Sequence, residues 1–219
     1  MGTSGTHGPG MDSAGPGQRT AVIRDARLED ASRLLEIYGY YVRETAVSFE
    51  YEVPTLEEFE ERMRTTMRRY PYLVVEEDGC VMGYAYAGPL GVRAAFRWSC
   101  ELSIYLDRNA RGHGLGTMLY ETLEDALRQM GVLNLYACIA LPRGDDEYLT
   151  TASAEFHARR GYERVAHLHA CGGKFGHWYD IIWMEKIVGA HTSSQSPPMI
   201  GAWAPPVTQT LPRGIYRAT

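Results

Sequence analysis

Apolar positions in this chain fall into two alternating spacings. Leu34, Leu35, Ile37, Tyr38 and Tyr41 share one side of a helix predicted over residues 28–42, with Asp30 near its start. The TLEEF run after Pro54 reads as a capping box opening a second helix over residues 55–69. Met118, Leu119, Leu123, Leu127 and Met130 recur at helical spacing over residues 117–130, with Glu121, Glu124, Asp125 and Arg128 between them, and a short helix fits residues 153–160. Strand-like runs lie at residues 21–27, 72–76, 81–87, 98–106, 133–141, 164–170 and 179–187. Asp78-Gly79, between the second and third of these, is a strong short-range hairpin signal. The order βααβββαβαββ predicts one α/β domain over residues 21–189 with a mixed sheet and no internal repeat. Residues 1–20, rich in Gly, Ser and Thr, hold too little apolar surface for a core and are expected to be disordered. The same expectation holds for the Pro/Ser/Thr-rich tail at residues 190–219, where Ile200, Trp203 and Tyr216 are the points at which it would pack on the surface or on a partner.

Bulk properties narrow the function. At 219 residues and 45% hydrophobic, the chain supports one well-buried domain. A net charge of −5 without a basic run argues against nucleic acid. No apolar stretch approaches the roughly 20 residues that span a bilayer, and no hydrophobic signal region opens the chain, so a cytoplasmic protein without a membrane partner is expected. Cys80, Cys100, Cys138 and Cys171 form no CxxC pair; three lie in apolar strand-like contexts, expected to be buried free thiols. No metal is expected.

The most informative run is Arg111-Gly112-His113-Gly114-Leu115-Gly116, followed by Thr117, between a predicted strand and a predicted helix. Glycines at alternate positions admit positive φ and close backbone approach. Successive N–H groups and the helix N-terminus then form an anion nest, with Arg111 adding a full charge. Thr117 is not preceded by Lys, which excludes a Walker loop, and the glycine spacing is not that of a dinucleotide fingerprint. A plain glycine-rich turn into a helix stays open.

This run resembles the R/Q-x-x-G-x-G/A loop with which GNAT acetyltransferases hold the pyrophosphate of acetyl-CoA. Four further stretches resemble the phosphinothricin N-acetyltransferase branch of that superfamily: residues 45–59 (TAVSFEYEVPTLEEF), 70–89 (YPYLVVEEDGCVMGYAYAGP), 93–106 (RAAFRWSCELSIYL) and 172–184 (GGKFGHWYDIIWM). The resemblance implies a GNAT fold: a mixed, mostly antiparallel sheet with splayed central strands, flanked by helices. It implies acetyl-CoA as co-substrate, a small amine acceptor, direct transfer in a ternary complex and a homodimer with the acceptor pocket near its interface.

It also implies site residues. Glu101, a lone carboxylate in the apolar WSCELSIYL strand, would be the general base, an outward-facing strand glutamate being the alternative. The strand would splay from its neighbour after a bulge, freeing backbone groups at Ser103, Ile104 and Tyr105 for the pantetheine amides and the thioester carbonyl. His157, in Phe156-His157-Ala158-Arg159-Arg160-Gly161-Tyr162, stands where many relatives have a tyrosine and would protonate the departing thiolate, or else simply cap a helix surface. Arg111, Gly112, His113, Gly114, Leu115, Gly116 and Thr117 would hold the pyrophosphate, with the His113 side chain toward solvent. Arg93 and Arg97 are candidates for an acceptor carboxylate, Phe49 and Glu50 for the pocket wall, and Lys174 and Trp178 for the pocket or the dimer interface. One departure stands out: the family's L-P-N reads Leu141-Pro142-Arg143 here and opens a longer loop with Asp145-Asp146-Glu147. An acceptor other than phosphinothricin, such as a methionine analogue, polyamine or peptide, therefore remains open, as does an acyl-CoA-binding sensor without turnover.

Overall fold

In a computed structural model, residues 20–110, 112, 114–201 and 209–212 are described. Of the N-terminal segment expected to be disordered, residues 1–19 lie outside them, and Thr20 opens the first strand. Strand β1 (Thr20–Asp25) leads through a short 3₁₀ turn at Leu28–Asp30 into α1 (Ala31–Glu44) and α2 (Leu56–Met67). Strands β2 (Tyr72–Glu77), β3 (Cys80–Pro89) and β4 (Ser99–Leu106) follow. Then come α3 (Leu115–Gln129), β5 (Asn134–Leu141), α4 (Ala152–Ala158), β6 (Glu163–Lys174), β7 (His177–Ile187) and β8 (Gln209–Pro212).

Local chemistry explains the turns. The α1 helix starts three residues later than its periodicity implies because Asp30 turns back, accepting from the Arg27 N–H at 2.7 Å and pairing with Arg24. The capping box of α2 is present: Glu58 N–H donates to Thr55 Oγ1 and Thr55 N–H to Glu58 Oε2. Asp78-Gly79 makes the predicted two-residue turn with φ of 52° and 79°. A second such turn, Phe175-Gly176 with φ of 52° and 81°, extends β6 and β7 well beyond their predicted ends to the pair Lys174↔His177.

The sheet order is β6-β7-β5-β4-β3-β2-β1-β8. Every pairing is antiparallel except β4 with β5. One face carries α3, whose Leu119, Leu123 and Leu127 are buried against Leu73, Val75, Leu102 and Leu135. The other carries α1 and α2 over an aromatic layer in which Tyr72, Tyr84 and Tyr86 stack. A third cluster, Ala46, Ala140, Leu149 and Tyr179, lies under the α1–α2 loop.

Two expectations change. Described parts of the C-terminal tail are structured: β8 pairs with β1, Met199 N–H donates to the Met130 carbonyl, Ser196 O accepts from Trp98 Nε1, and Ile200 packs on the α3 core. Of the four free thiols only Cys100 is buried; Cys80, Cys138 and Cys171 are exposed because strand alternation turns them outward or leaves them at a turn. Among the described residues no helix is long and apolar enough to cross a membrane.

Candidate active site

The β4–β5 pairing fixes the site. It spans only Ser99↔Asn134, Cys100↔Leu135 and Glu101↔Tyr136, after which the strands part. The splay is as expected, but no bulge makes it: the β3–β4 register is unbroken from Pro89↔Cys100 to Gly83↔Leu106. The start of α3 packs closely on the sheet beside it, where a Cβ on Gly116 would stand 3.1 Å from Leu106 Cδ1 and 3.4 Å from Phe156 Cε2. Glycine lets helix, strand and α4 approach this closely.

Register then decides which backbone groups face the gap. Leu90 N–H donates to Ser99 O and Asp107 N–H to Met82 O, so odd-numbered residues of β4 bond to β3. Ser103 and Tyr105, two of the three expected cofactor contacts, thus spend their backbone groups on β3. Ile104 faces the gap, as does the carbonyl of Leu102, which was not anticipated; the Leu102 N–H is taken by the last β4–β5 pair, Glu101↔Tyr136. Leu106, also facing away from β3, is closed off by Tyr41, whose hydroxyl donates to its carbonyl at 2.7 Å and accepts from its N–H. Parity of register is the signal that distinguishes these residues.

At the open end, Gly112 has φ of 82° and Gly114, the N-cap of α3, has φ of 78°. A glycine cap offers no side chain to the first-turn N–H groups, which stay available to an anion. The side chains of the run do other work. Leu115 is buried in the core, and the Thr117 hydroxyl accepts from Arg160, whose guanidinium lies 3.6 Å over Phe156. Arg111 and His113 lie outside the described residues. An open groove of about 540 Å³ adjoins this end, lined by Arg33, Tyr40, Arg43, Asp107 and Arg108 among others.

Alternation along β4 points Cys100 and Leu102 to the α3 face and Glu101, Ser103 and Tyr105 to the α1/α2 face. Glu101 is half-buried at the vertex of the splay, and burial pushes its carboxyl above the usual range. On the same face burial raises the Tyr86 phenol; the neighbouring Ser103 hydroxyl lowers it, the Glu101 and Glu50 carboxylates add to the rise, and Arg62 offsets it. Arg62 donates to Glu50 Oε1 at 2.7 Å. Glu101, Ser103, Tyr86, Glu50 and Arg62 therefore form one electrostatic neighbourhood, in which Tyr86 and Arg62 were not foreseen from sequence.

His157 belongs to the other face. It is 3% exposed, its Nδ1–H donates to the Ser153 carbonyl at 2.7 Å, and its Nε2 accepts from the Tyr120 hydroxyl at 2.9 Å. Burial lowers it to about 4, with nearby Arg160 opposing protonation too. Both ring nitrogens are used and the ring is neutral, so the expected thiolate acid is a packed link between α4 and α3.

The remaining candidates divide. Arg93 is exposed at the start of a 3₁₀ turn (Ala94–Phe96), in the loop at the closed end of β4, away from the opening; Arg97 beside it donates to Ala94 O and lies over Trp98. Phe49 packs on Tyr179 and fills the space above Gly172, where a Cβ would collide with its ring at 2.0 Å. Lys174 is buried and donates to Thr45 O and Ser48 O, clamping the α1–α2 loop that carries Phe49 and Glu50. It thereby holds that loop in place, and it also lines the neighbouring groove. Trp178 is exposed on a groove of about 270 Å³ with Tyr51 and Phe175. Arg143, in place of the family's asparagine, reaches Asp180 at 3.3 Å.

Residues 23–183 match the Acetyltransferase (GNAT) domain family. The chain is 32% identical over 171 residues to a phosphinothricin N-acetyltransferase of Streptomyces viridochromogenes, covering 78% of this chain and 90% of that protein. It is 31% identical over 172 residues to an L-methionine sulfoximine/L-methionine sulfone acetyltransferase of Salmonella typhimurium, covering 78% and 96%. The crystal structure of a phosphinothricin acetyltransferase from Sinorhizobium meliloti in complex with AcCoA superposes with a TM-score of 0.73 at 30% identity, covering 83% of this chain and 98% of that one.

Proposed function

The chain belongs to the GNAT acetyltransferase family and is an acetyl-CoA-dependent N-acetyltransferase; we propose that its acceptor is the amine of a small amino acid or amino-acid analogue of the phosphinothricin or methionine sulfoximine kind. The observation that carries this reading is the β4–β5 opening with a desolvated carboxylate at its vertex.

The residues fit the co-substrate. Leu102 and Ile104 aim backbone donors and acceptors into the opening, matching amide groups, and the uncapped start of α3 suits a diphosphate. Acetyl-CoA supplies the activated acetyl group. Glu101 takes the proton from the acceptor ammonium, directly or through one water; its raised affinity for protons brings it closer to the amine's range, which for a free α-amino group is roughly 7.7–8.0. The N–H of Ile104 donates to the acyl oxygen, where negative charge develops. Arg62, on the same face, attracts the acceptor's carboxylate, while Phe49 and the Lys174 clamp shape the wall. Arg93 enters this scheme only from outside the single-chain site.

We also place the protein in the cytoplasm as a homodimer. The free thiols fit a reducing compartment, and exposed Tyr51 and Trp178 offer an apolar contact at the hairpin tip. Light scattering during gel filtration reads the dimer.

The deciding test is thiol release from acetyl-CoA with a panel of amino acids, phosphinothricin, methionine sulfoximine, polyamines and peptides, for wild type and Glu101→Gln. Turnover of an amino-acid analogue, slowed by about 10²–10⁴ in the variant, supports the reading. Preference for a polyamine or peptide overturns the acceptor class, and binding of acetyl-CoA without turnover favours a sensor.

A further inference from the structure

Outside the active site, the β6–β7 edge carries a cluster of ligating side chains that acetyl transfer does not use. Three residues of β6, His169, Ala170 and Cys171, bulge opposite the single residue Asp180 of β7, between the pairs Leu168↔Ile181 and Gly172↔Tyr179. The bulge is locally strained: Ala170 sits at φ of 45°, a region that non-glycine residues seldom adopt, and its N–H donates to Asp180 Oδ1 at 2.7 Å. The consequence is convergence. His167 Nε2 lies 2.8 Å and His169 Nδ1 3.4 Å from the same atom, Asp180 Oδ2, and the two rings are 4.1 Å apart.

We propose that His167, His169 and Asp180 bind a divalent transition-metal ion, zinc by preference, with water completing the coordination. Two imidazoles and one carboxylate are borderline donors of the type that selects Zn²⁺ over Mg²⁺ or Ca²⁺. The three ligand atoms lie within 4.8 Å of one another. Bonds of about 2.0–2.1 Å in a tetrahedron put ligand atoms about 3.3 Å apart, so the contacts already made are near the required spacing. His169, mostly exposed, has room to turn and gives the ion a path from solvent, while Asp180 is buried. The Ala170 N–H orients the Asp180 carboxylate from behind, as supporting hydrogen bonds do for metal ligands. Arg143 shares Asp180 Oδ1 and is itself half-exposed, so it leaves without opening the core. Without metal, the same atoms are joined by hydrogen bonds, which keeps the site assembled.

The test uses untagged full-length protein stripped of metal. Isothermal titration with ZnCl₂, and the visible spectrum with Co²⁺, read binding directly; the melting temperature with and without Zn²⁺ reads it through stability. One equivalent is expected to bind wild type with a rise in melting temperature. Affinity should fall by at least about 100-fold in His169→Ala, whose side chain is too exposed to matter for folding, and likewise in His167→Gln. Melting of both variants in chelator should match wild type. Absence of stoichiometric binding to wild type overturns the site, as does binding that survives both substitutions.

Discussion

Glu101 and His157 are both ionisable groups drawn into the protein, yet the two faces of the sheet put them to opposite uses. On the α1/α2 face, Glu101 stands at the mouth of a parting pair of strands, among Tyr86, Ser103, Glu50 and Arg62. On the α3/α4 face, His157 is closed in by Tyr120, Phe156 and Tyr162 and has a partner on each nitrogen. Desolvation shifts both, raising the acid and lowering the base. Only the carboxylate has an opening beside it. A perturbed group marks a reactive site when geometry gives it something to react with.

Substitutions can break this contrast, beginning with the largest effect. Glu101→Gln should lose about 10²–10⁴ in turnover with no loss of stability. A carboxyl whose folded affinity for protons exceeds its unfolded one destabilises the fold as pH rises above the unfolded value, so a neutral amide there should leave the melting temperature at neutral pH unchanged or raised. His157→Phe should do the reverse: it orphans the buried Tyr120 hydroxyl and costs about 1–3 kcal/mol in a denaturant titration, while kcat per folded molecule changes little. A kcat loss comparable to that of Glu101→Gln would erase the contrast.

The pH dependence sharpens it. His157 binds a proton less readily when folded, at about 4 against 6.5. Its contribution to stability is therefore full above pH 6.5 and is lost as pH falls toward 4. That window carries about 3 kcal/mol, so urea midpoints should fall across it in wild type and fall less in His157→Phe. Gly172→Ala comes next: a methyl that meets Phe49 must displace the α1–α2 wall, raising KM for the acceptor more than for acetyl-CoA. Smallest is Gly112→Ala, where space is open and only the positive φ is penalised, by about 1–2 kcal/mol, read as weaker acetyl-CoA binding.

Much of the fold was legible because it rests on local rules. Every predicted helix and strand is present, and the α2 capping box and the Asp78-Gly79 turn form where their residues demand. The Phe175-Gly176 turn was not legible, since phenylalanine is not a residue that announces positive φ, and neither was the β6 bulge. Ordering of the tail depended on a neighbouring chain segment for its hydrogen bonds, as at Met130 and β1. Glu101 was readable as a lone carboxylate in an apolar strand, and the structure puts it where β4 and β5 part. That the backbone groups of Ser103 and Tyr105 bond to β3 was not readable, because composition says nothing about which way a strand's amides point.

By itself the sequence determined the elements, their order, the glycine-bearing start of α3 and the family, since periodicity, turn chemistry and motif spacing are properties of neighbours along the chain. Only the tertiary structure decided that Leu102 and Ile104 face the opening, that His157 is a closed structural link, that Lys174 clamps the pocket wall, and that His167 and His169 meet Asp180. Each of these depends on register, bulge or burial, which arise when residues far apart in the chain pack together, and no local pattern encodes them.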